Sequence, residues 1–401
     1  MRRLAVVVFL LALSNSAALA QTERGGPPPN VRMRVGPLFI NPTLALTNAG
    51  TDTNVFNESV NPKSDLTVTV TPGTDLWLRM GPTWLQSNIA EDLVWFQKYA
   101  SERSANNRYA IKWLVPLNRL TVTPSLAYVD TRERPGFEID TRAQRTETVY
   151  GSTVEVRAFS KIFLGATASR TQTNFDGSAE FLGINLRDEL NRHVTSTTVT
   201  ARDELTPLTS VSLLLSAQQD RFDFDHVRDS DSRAVSGLIA FDPAALLKGR
   251  ATFGYRDFKP LDPSLPGYRG ATANVDLSYV LLSITKFVVT ATRDVQYSYD
   301  INQPYYVLSG ATASIAQQVF GPIDVVARGG LQQLQYRDRL GAAVAIADRV
   351  DHVESVGGGI GYHLGHATRI GFNVDQNRRI SGVDARRFRG LTYGFSVTYG
   401  S

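Results

Sequence analysis

Leu391-Thr392-Tyr393-Gly394-Phe395-Ser396-Val397-Thr398-Tyr399 closes the chain two residues before its end. Its odd positions are all apolar or aromatic, and its even positions are all small or polar. A period of two is the signature of an extended strand with one face in an apolar medium. The preceding stretch repeats it, with Ile370, Phe372 and Val374 on one face and Arg369, Asn373 and Asp375 on the other. Earlier segments follow suit. Tyr109, Ile111 and Trp113 oppose Arg108 and Lys112; Val211, Leu213, Leu215 and Ala217 oppose Ser212, Ser216 and Gln218. Ala251, Phe253 and Tyr255 oppose Thr252 and Arg256, and Ile323, Val325 and Ala327 oppose Arg328.

A β-sandwich also alternates, so two further features decide the class. Charged and amide side chains stand at mid-strand on the second face, where a dry core would leave them unpaired at several kcal/mol each, roughly 2–7 for a neutral polar group. The connections also alternate in length. Short ones include Gly81-Pro82-Thr83, Pro116-Leu117-Asn118, Thr206-Pro207-Leu208 and Gly321-Pro322. Between them lie long polar stretches: Thr51 to Lys63, Glu133 to Thr141, Asp176 to Asn191, Phe224 to Asp231, Leu261 to Gly270, Asp338 to Asp351 and Gly382 to Arg387. Short turns on one side and long loops on the other describe a transmembrane barrel. The expected fold is therefore all-β: a single transmembrane antiparallel β-barrel of about eighteen strands, sixteen being the alternative, with short periplasmic turns and longer outer loops.

The strands are expected at 36–48, 64–80, 84–98, 105–115, 119–132, 144–158, 162–174, 191–203, 209–223, 231–243, 249–258, 270–283, 286–300, 305–319, 322–337, 352–364, 367–379 and 388–400. Glu91 and Asp92 interrupt the apolar face of 84–98, and Pro72-Gly73 is expected to introduce a bulge. The best helical fragment is one turn, Ala244 to Leu247. A barrel of ~16–18 strands is wide enough for an aqueous channel.

The N-terminus fits export. Met1-Arg2-Arg3, the apolar run Leu4–Leu13 and Ala18-Leu19-Ala20 have the form of a signal peptide occupying residues 1–20. Residues 21–35, rich in Gly and Pro, are expected to be a flexible periplasmic segment, and 36–401 the barrel. There is no cysteine, so disulfides and thiolate metal sites are excluded. Mean hydropathy of −0.15 suits a barrel whose lipid-facing and lumenal residues alternate. A net charge of +4, two of it in Arg2 and Arg3, gives no case for nucleic-acid binding. The place implied is the outer membrane of a Gram-negative-type bacterium, with its lipid as the surrounding partner.

Arginine outnumbers lysine 35 to 7. By phase, the pore-lining candidates are Arg108, Lys112, Arg157, Arg256, Arg328, Arg369, Asn373, Asp375 and Arg379. Such guanidinium groups either receive carboxylate or phosphate bidentately or pair with lumenal acids such as Glu155, Asp220, Asp276 and Asp375 to brace the wall. Tyr109, Trp113, Tyr150, Phe253, Tyr297, Tyr362, Tyr393 and Tyr399 are expected to form interfacial girdles, while Trp77 and Phe224 are candidates for the inner face. The five histidines show no metal-ligand spacing; His363 and His366 are expected to be exposed at a periplasmic turn, and His226 among Asp225, Asp229 and Asp231 is the one cluster that invites a rim-enzyme reading. No catalytic residue, metal or cofactor is assigned.

Two places resemble known families. Leu391, Tyr393, Phe395, Val397 and Tyr399 resemble the assembly signal read by the barrel-insertion machinery, without its usual terminal aromatic. Pro42-Thr43-Leu44-Ala45-Leu46, followed by Thr51-Asp52-Thr53-Asn54-Val55-Phe56, is similar to the first strand and loop of the β-barrel porins encoded with bacterial exopolysaccharide export systems. That resemblance implies a pore for polysaccharide or a similar anionic polymer, with periplasmic export components as partners. The alternative is a general diffusion porin for small solutes, which needs a loop folded into the lumen; Asp176 to Asn191 is the longest candidate.

Overall fold

A computed structural model describes residues 26–28, 31–243, 245–365 and 367–400. The signal-peptide reading of residues 1–20 lies outside them, as does His366. In chain order the strands are β1 (Met33–Val35), β2 (Leu38–Asp52), β3 (Asp65–Met80), β4 (Thr83–Phe96), β5 (Ser104–Leu117), β6 (Leu120–Glu133), β7 (Ala143–Arg157), β8 (Ile162–Phe175), β9 (Glu180–Phe181), β10 (Ile184–Asn185), β11 (Arg192–Thr206), β12 (Thr209–Phe222), β13 (Ser230–Phe241), β14 (Leu247–Pro260), β15 (Tyr268–Leu281), β16 (Thr285–Tyr297), β17 (Tyr305–Phe320), β18 (Ile323–Arg337), β19 (Val350–Leu364), β20 (Thr368–Ile380) and β21 (Phe388–Tyr399). Among the described residues one short α-helix, α1 (Leu186–Leu190), is capped by Asn185, whose side chain accepts from the Arg187 N–H.

β2–β8 and β11–β21 are antiparallel neighbours in sequence order, and β21 returns to β2 with Leu44 opposite Tyr399 and Asp52 opposite Thr392. The result is a closed barrel of eighteen strands. Closure removes the free edges that neither water nor lipid could satisfy. β1 folds back on β2, so the last residues of the expected flexible segment are already paired.

The outward phase is predominantly apolar: Phe395 is 59% exposed, Phe253 58% and Leu331 65%. Buried side chains collect instead at the mouth formed by the long loops. Three expectations fail here. Pairing of β3 with β2 and β4 runs through Pro72-Gly73 without a shift; the bulge lies opposite, in β2, between Leu46 and Gly50, where Asn48 takes φ +54°. Asn tolerates that left-handed conformation. Leu247 opens β14 instead of ending a helical turn, because the alternation of β14 begins there. Tyr297 has outward phase yet is not at an interfacial girdle: the end of its strand leans into the barrel and it packs on Phe222 and Phe258.

Candidate functional site

All nine predicted pore-lining residues fall on the inward phase of their strands. Most of the arginines do not stand free, and their partners divide the lumen into distinct districts.

On the β18–β20 wall, Arg328 makes a bidentate pair with Asp375 (Nε–Oδ1 and Nη2–Oδ2 both 2.5 Å), and Arg369 makes one with Asp324 (both 2.7 Å). Each pair joins β18 to β20 across β19. That crossing is possible because the inward positions of β19 are Gly357, Gly359 and Gly361. A Cβ on Gly357 would lie 1.9 Å from Asp375 Oδ1, one on Gly359 2.4 Å from Asn373 Oδ1, and one on Gly361 2.4 Å from the Arg369 guanidinium. Asn373 donates from Nδ2 to Ser396 Oγ, extending the brace to β21. His363 is not exposed at the turn as expected. It points into the lumen, with Nε2 2.5 Å from Asp324 Oδ2, because it shares the inward phase of β19 and Asp324 stands beside it on the adjoining strand β18.

Arg108 pairs with Asp92 and, at 2.7 Å, with Glu133. Asp92, which interrupts the apolar pattern of β4, thus faces the lumen. Its neighbour Glu91 faces outward and accepts from the Tyr109 hydroxyl at 2.8 Å. Lys112 shares the inward phase of β5. Near the periplasmic end, Glu155 receives a bidentate bond from Arg202 (2.7 and 3.1 Å), and both Arg157 and Arg202 stack on the inward ring of Phe163. Trp77 is inward, as its phase allows. Phe224 is not: it sits in an exposed loop under the Arg187 guanidinium.

Arg379 does something its phase could not reveal. Its side chain is fully buried at the mouth, where it binds Asp351 (2.7 Å) and donates to the main-chain carbonyls of Phe137 (2.9 Å) and Glu138 (3.0 Å). Phe137 and Glu138 belong to the loop 134–142 between β6 and β7, on the opposite side of the barrel. This loop crosses the lumen. Phe137 packs among Tyr306, Leu308, Leu334 and Tyr336; the Glu138 carboxylate accepts from Ser298 Oγ at 2.7 Å and from the Tyr299 N–H at 3.3 Å. Arg386 donates to the Glu138 carbonyl and pairs with Asp140 at 3.2 Å. Burial pushes the Glu138 carboxyl above the usual range, against the pull of Arg386, Arg379 and Arg349. The expected constriction loop, Asp176 to Asn191, does fold inward, burying Leu186 and Leu190 against Ile139 and Tyr299, but it backs the crossing loop instead of making the crossing.

Beneath this lid is a cavity of about 440 Å³. Its roof includes Phe137 and Ile139; its walls carry Arg145, Arg192, Arg250 and Arg256 among many serines and threonines, with Leu214 and Leu238 as an apolar patch. Arg256 pairs with Asp294 at 3.0 Å. Arg192 lies 5.4 Å from the Tyr297 ring centroid and spends one N–H on the Leu190 carbonyl. Arg145, one step from Glu147 on the same face, makes no hydrogen bond or ion pair among the described residues. Sequence phase could have selected Arg145 and Arg192; the expected strand 191–203 placed Arg192 at its very edge, where phase is hardest to read.

The His226 cluster is a loop brace. Its imidazole is 74% exposed, with Nδ1 3.5 Å from Asp229, while Asp225 is engaged by the buried Arg228 together with Glu189. Among the described residues no serine hydroxyl is hydrogen-bonded to a histidine.

An eighteen-stranded closed barrel with an apolar exterior, a charged lumen and an inward loop defines an outer-membrane channel protein. The chain belongs to the family described as Putative beta-barrel porin 2, whose sequence profile matches residues 28–399. None of the curated proteins matches it. Solved structures that resemble it include a BenF-like porin from Pseudomonas fluorescens Pf-5 (10% identity, 90% of this chain and 98% of that one, TM-score 0.48). Pseudomonas aeruginosa OccK2 (OpdF) in complex with glucuronate (10% identity, 90% and 97%, TM-score 0.47) and Pseudomonas aeruginosa OpdK with vanillate (10% identity, 90% and 98%, TM-score 0.46) are similar to the same extent.

Proposed function

We propose that this porin passes small anionic organic solutes, which bind in the cavity beneath the 134–142 loop. The observation that carries this reading is Arg145, an inward guanidinium without a hydrogen-bond partner among the described residues, facing a cavity of about 440 Å³. A pocket of that size suits a small molecule, and an unpaired guanidinium invites a carboxylate bidentately. Arg108, Arg202, Arg328, Arg369 and Arg379 are each occupied by an acid, so the lumen offers no continuous ladder for a polyanion.

The polymer-export reading keeps one supporting observation. The crossing loop is held at the far wall by side chains, chiefly Arg379, Arg386 and Ser298, with no backbone–backbone bond to that wall among the described residues. Such a lid can swing without unzipping a strand.

The test is single-channel conductance of the refolded protein in planar bilayers, with gluconate or an anionic oligosaccharide added. Gluconate is expected to interrupt the current, and Arg145→Gln to weaken that block about tenfold, the effect of losing roughly 1.4 kcal/mol. If Arg145→Gln leaves the block unchanged, or only the oligosaccharide blocks, the small-anion reading is wrong and the polymer reading gains.

A further inference from the structure

The seam between β15 and β16 is cut short. Pairing starts at the periplasmic turn with Leu281 opposite Thr285 and stops at Ala273 opposite Arg293. β15 nevertheless continues to Tyr268, fully paired with β14, and β16 continues to Tyr297, fully paired with β17. Above Ala273 the two strands have parted.

The burial pattern shows how. Val295, Tyr305 and Val307 have outward phase, yet they are only 8%, 1% and 1% exposed. They pack against Phe258 and Tyr268, which point inward from β14 and β15. The tip of the β16–β17 hairpin has therefore moved inside by one layer of side chains. The edge of β15 left behind is partly healed by Tyr268, whose hydroxyl donates to the Ala271 carbonyl at 2.9 Å. Gly270 permits this, since a Cβ there would lie 2.5 Å from that hydroxyl.

The height of the slot is set by the nine pairs beneath it. Tilted strands need ~9–11 residues to cross the hydrocarbon, so the strands part at the outer interface, where Val295, Tyr305 and Val307 packed on Phe258 and Tyr268 plug the slot. Tyr255, opposite Ala271 and 56% exposed, marks the same level. An unpaired strand edge is not tolerated facing lipid tails but is tolerated where it lines a cavity. Directly behind it is Arg256, opposite Gly270, pairing with Asp294 of the displaced hairpin. Arg256 Nε is buried and has no partner among the described residues. The cavity next to it offers both arginine and the Leu214–Leu238 patch.

We propose that this slot is a lateral portal, through which a single-chain anionic amphiphile passes between the outer leaflet and the cavity, its head on Arg256 and its chain along the apolar patch. The proposal shares the cavity with the small-anion reading but not the route.

Because the chain has no cysteine, Ala271→Cys with Val295→Cys provides a reversible staple across the slot. The probe is dansyl-undecanoate, followed by its fluorescence in proteoliposomes, beside gluconate block of the current. Oxidation is expected to weaken dansyl-undecanoate binding at least tenfold, reduction to restore it, and gluconate block to stay unchanged. Ala271→Trp, which fills the slot from its rim, should reproduce the loss, and it decides the matter alone if the cysteines do not join. Unchanged binding in Ala271→Trp and in any stapled form overturns the portal. So does a parallel loss of gluconate block, which would mean that both probes share the axial path.

Discussion

The wall formed by β18–β20 and the wall formed by β14–β17 obey the same alternation and end up differently. In the first, the middle strand offers three successive glycines, Gly357, Gly359 and Gly361, to the lumen, so arginine and aspartate from either side meet over them and tie three strands together. In the second, both faces near the outer end carry bulky rings, Phe258 and Tyr268 on one pair of strands and Tyr297 and Tyr305 on the other. With the β16–β17 tip one layer inward, the outward rings of Tyr297 and Tyr305 pack on the inward ring of Phe258 instead of facing the interface. The side chains that meet across neighbouring strands thus distinguish a braced wall from a parted one, although the backbone pattern is common to both.

The largest effect should come from the residue that links the two regions. Arg379→Ala removes the anchor of the crossing loop and leaves Asp351 buried with one partner fewer. Breaking a buried pair in this way costs about 3–5 kcal/mol. Urea unfolding should show the loss, and single-channel recordings should show a larger, noisier conductance as the lid detaches. Unaltered conductance would mean the loop is held by Phe137 packing instead.

Gly357→Val attacks the braced wall. The added Cβ collides with Asp375 and with the Val374 carbonyl, and overpacking of this kind costs about 1–3 kcal/mol. The same change at outward-facing Gly358 offers a control of similar β-propensity. If both variants unfold alike, the glycine stripe has no bracing role.

At the open seam, Tyr268→Phe removes the hydroxyl that satisfies Ala271, worth about 1 kcal/mol. Amide exchange at Ala271 and Thr272 should quicken while the paired stretch from Ala273 onward stays protected.

The smallest effect is graded. The Glu138 carboxyl titrates above its ordinary range in the docked loop because burial disfavours its charge. A released loop would return it to the normal range, so the docked state binds the proton more tightly. Docking is therefore favoured in full below the ordinary glutamate range, and that advantage fades as pH rises through the raised value. Conductance should fall on acidification from neutrality, and Glu138→Gln should flatten the response.

Much of this was legible beforehand. All eighteen strands lie where alternation and turn residues put them, since lipid on one side and water on the other impose the period residue by residue. The inward phase of Arg108, Lys112, Arg157, Arg256, Arg328, Arg369, Asn373, Asp375 and Arg379 was equally readable. Which acid each arginine meets was not. Arg328 and Asp375 are 47 residues apart, and their meeting depends on the stagger of three strands and on the absence of side chains between them. The crossing loop was missed for a related reason: Phe137 and Glu138 look like surface loop until Arg379 and Tyr306 are brought opposite by closure.

The sequence by itself therefore determined the barrel, a strand number near eighteen and the phase along each strand, because those follow from local period and solvent contrast. Only the tertiary structure decided which loop closes the mouth, which charges are spent on one another and where the wall parts. Those depend on volumes and charges brought together from distant strands, and no local pattern encodes them.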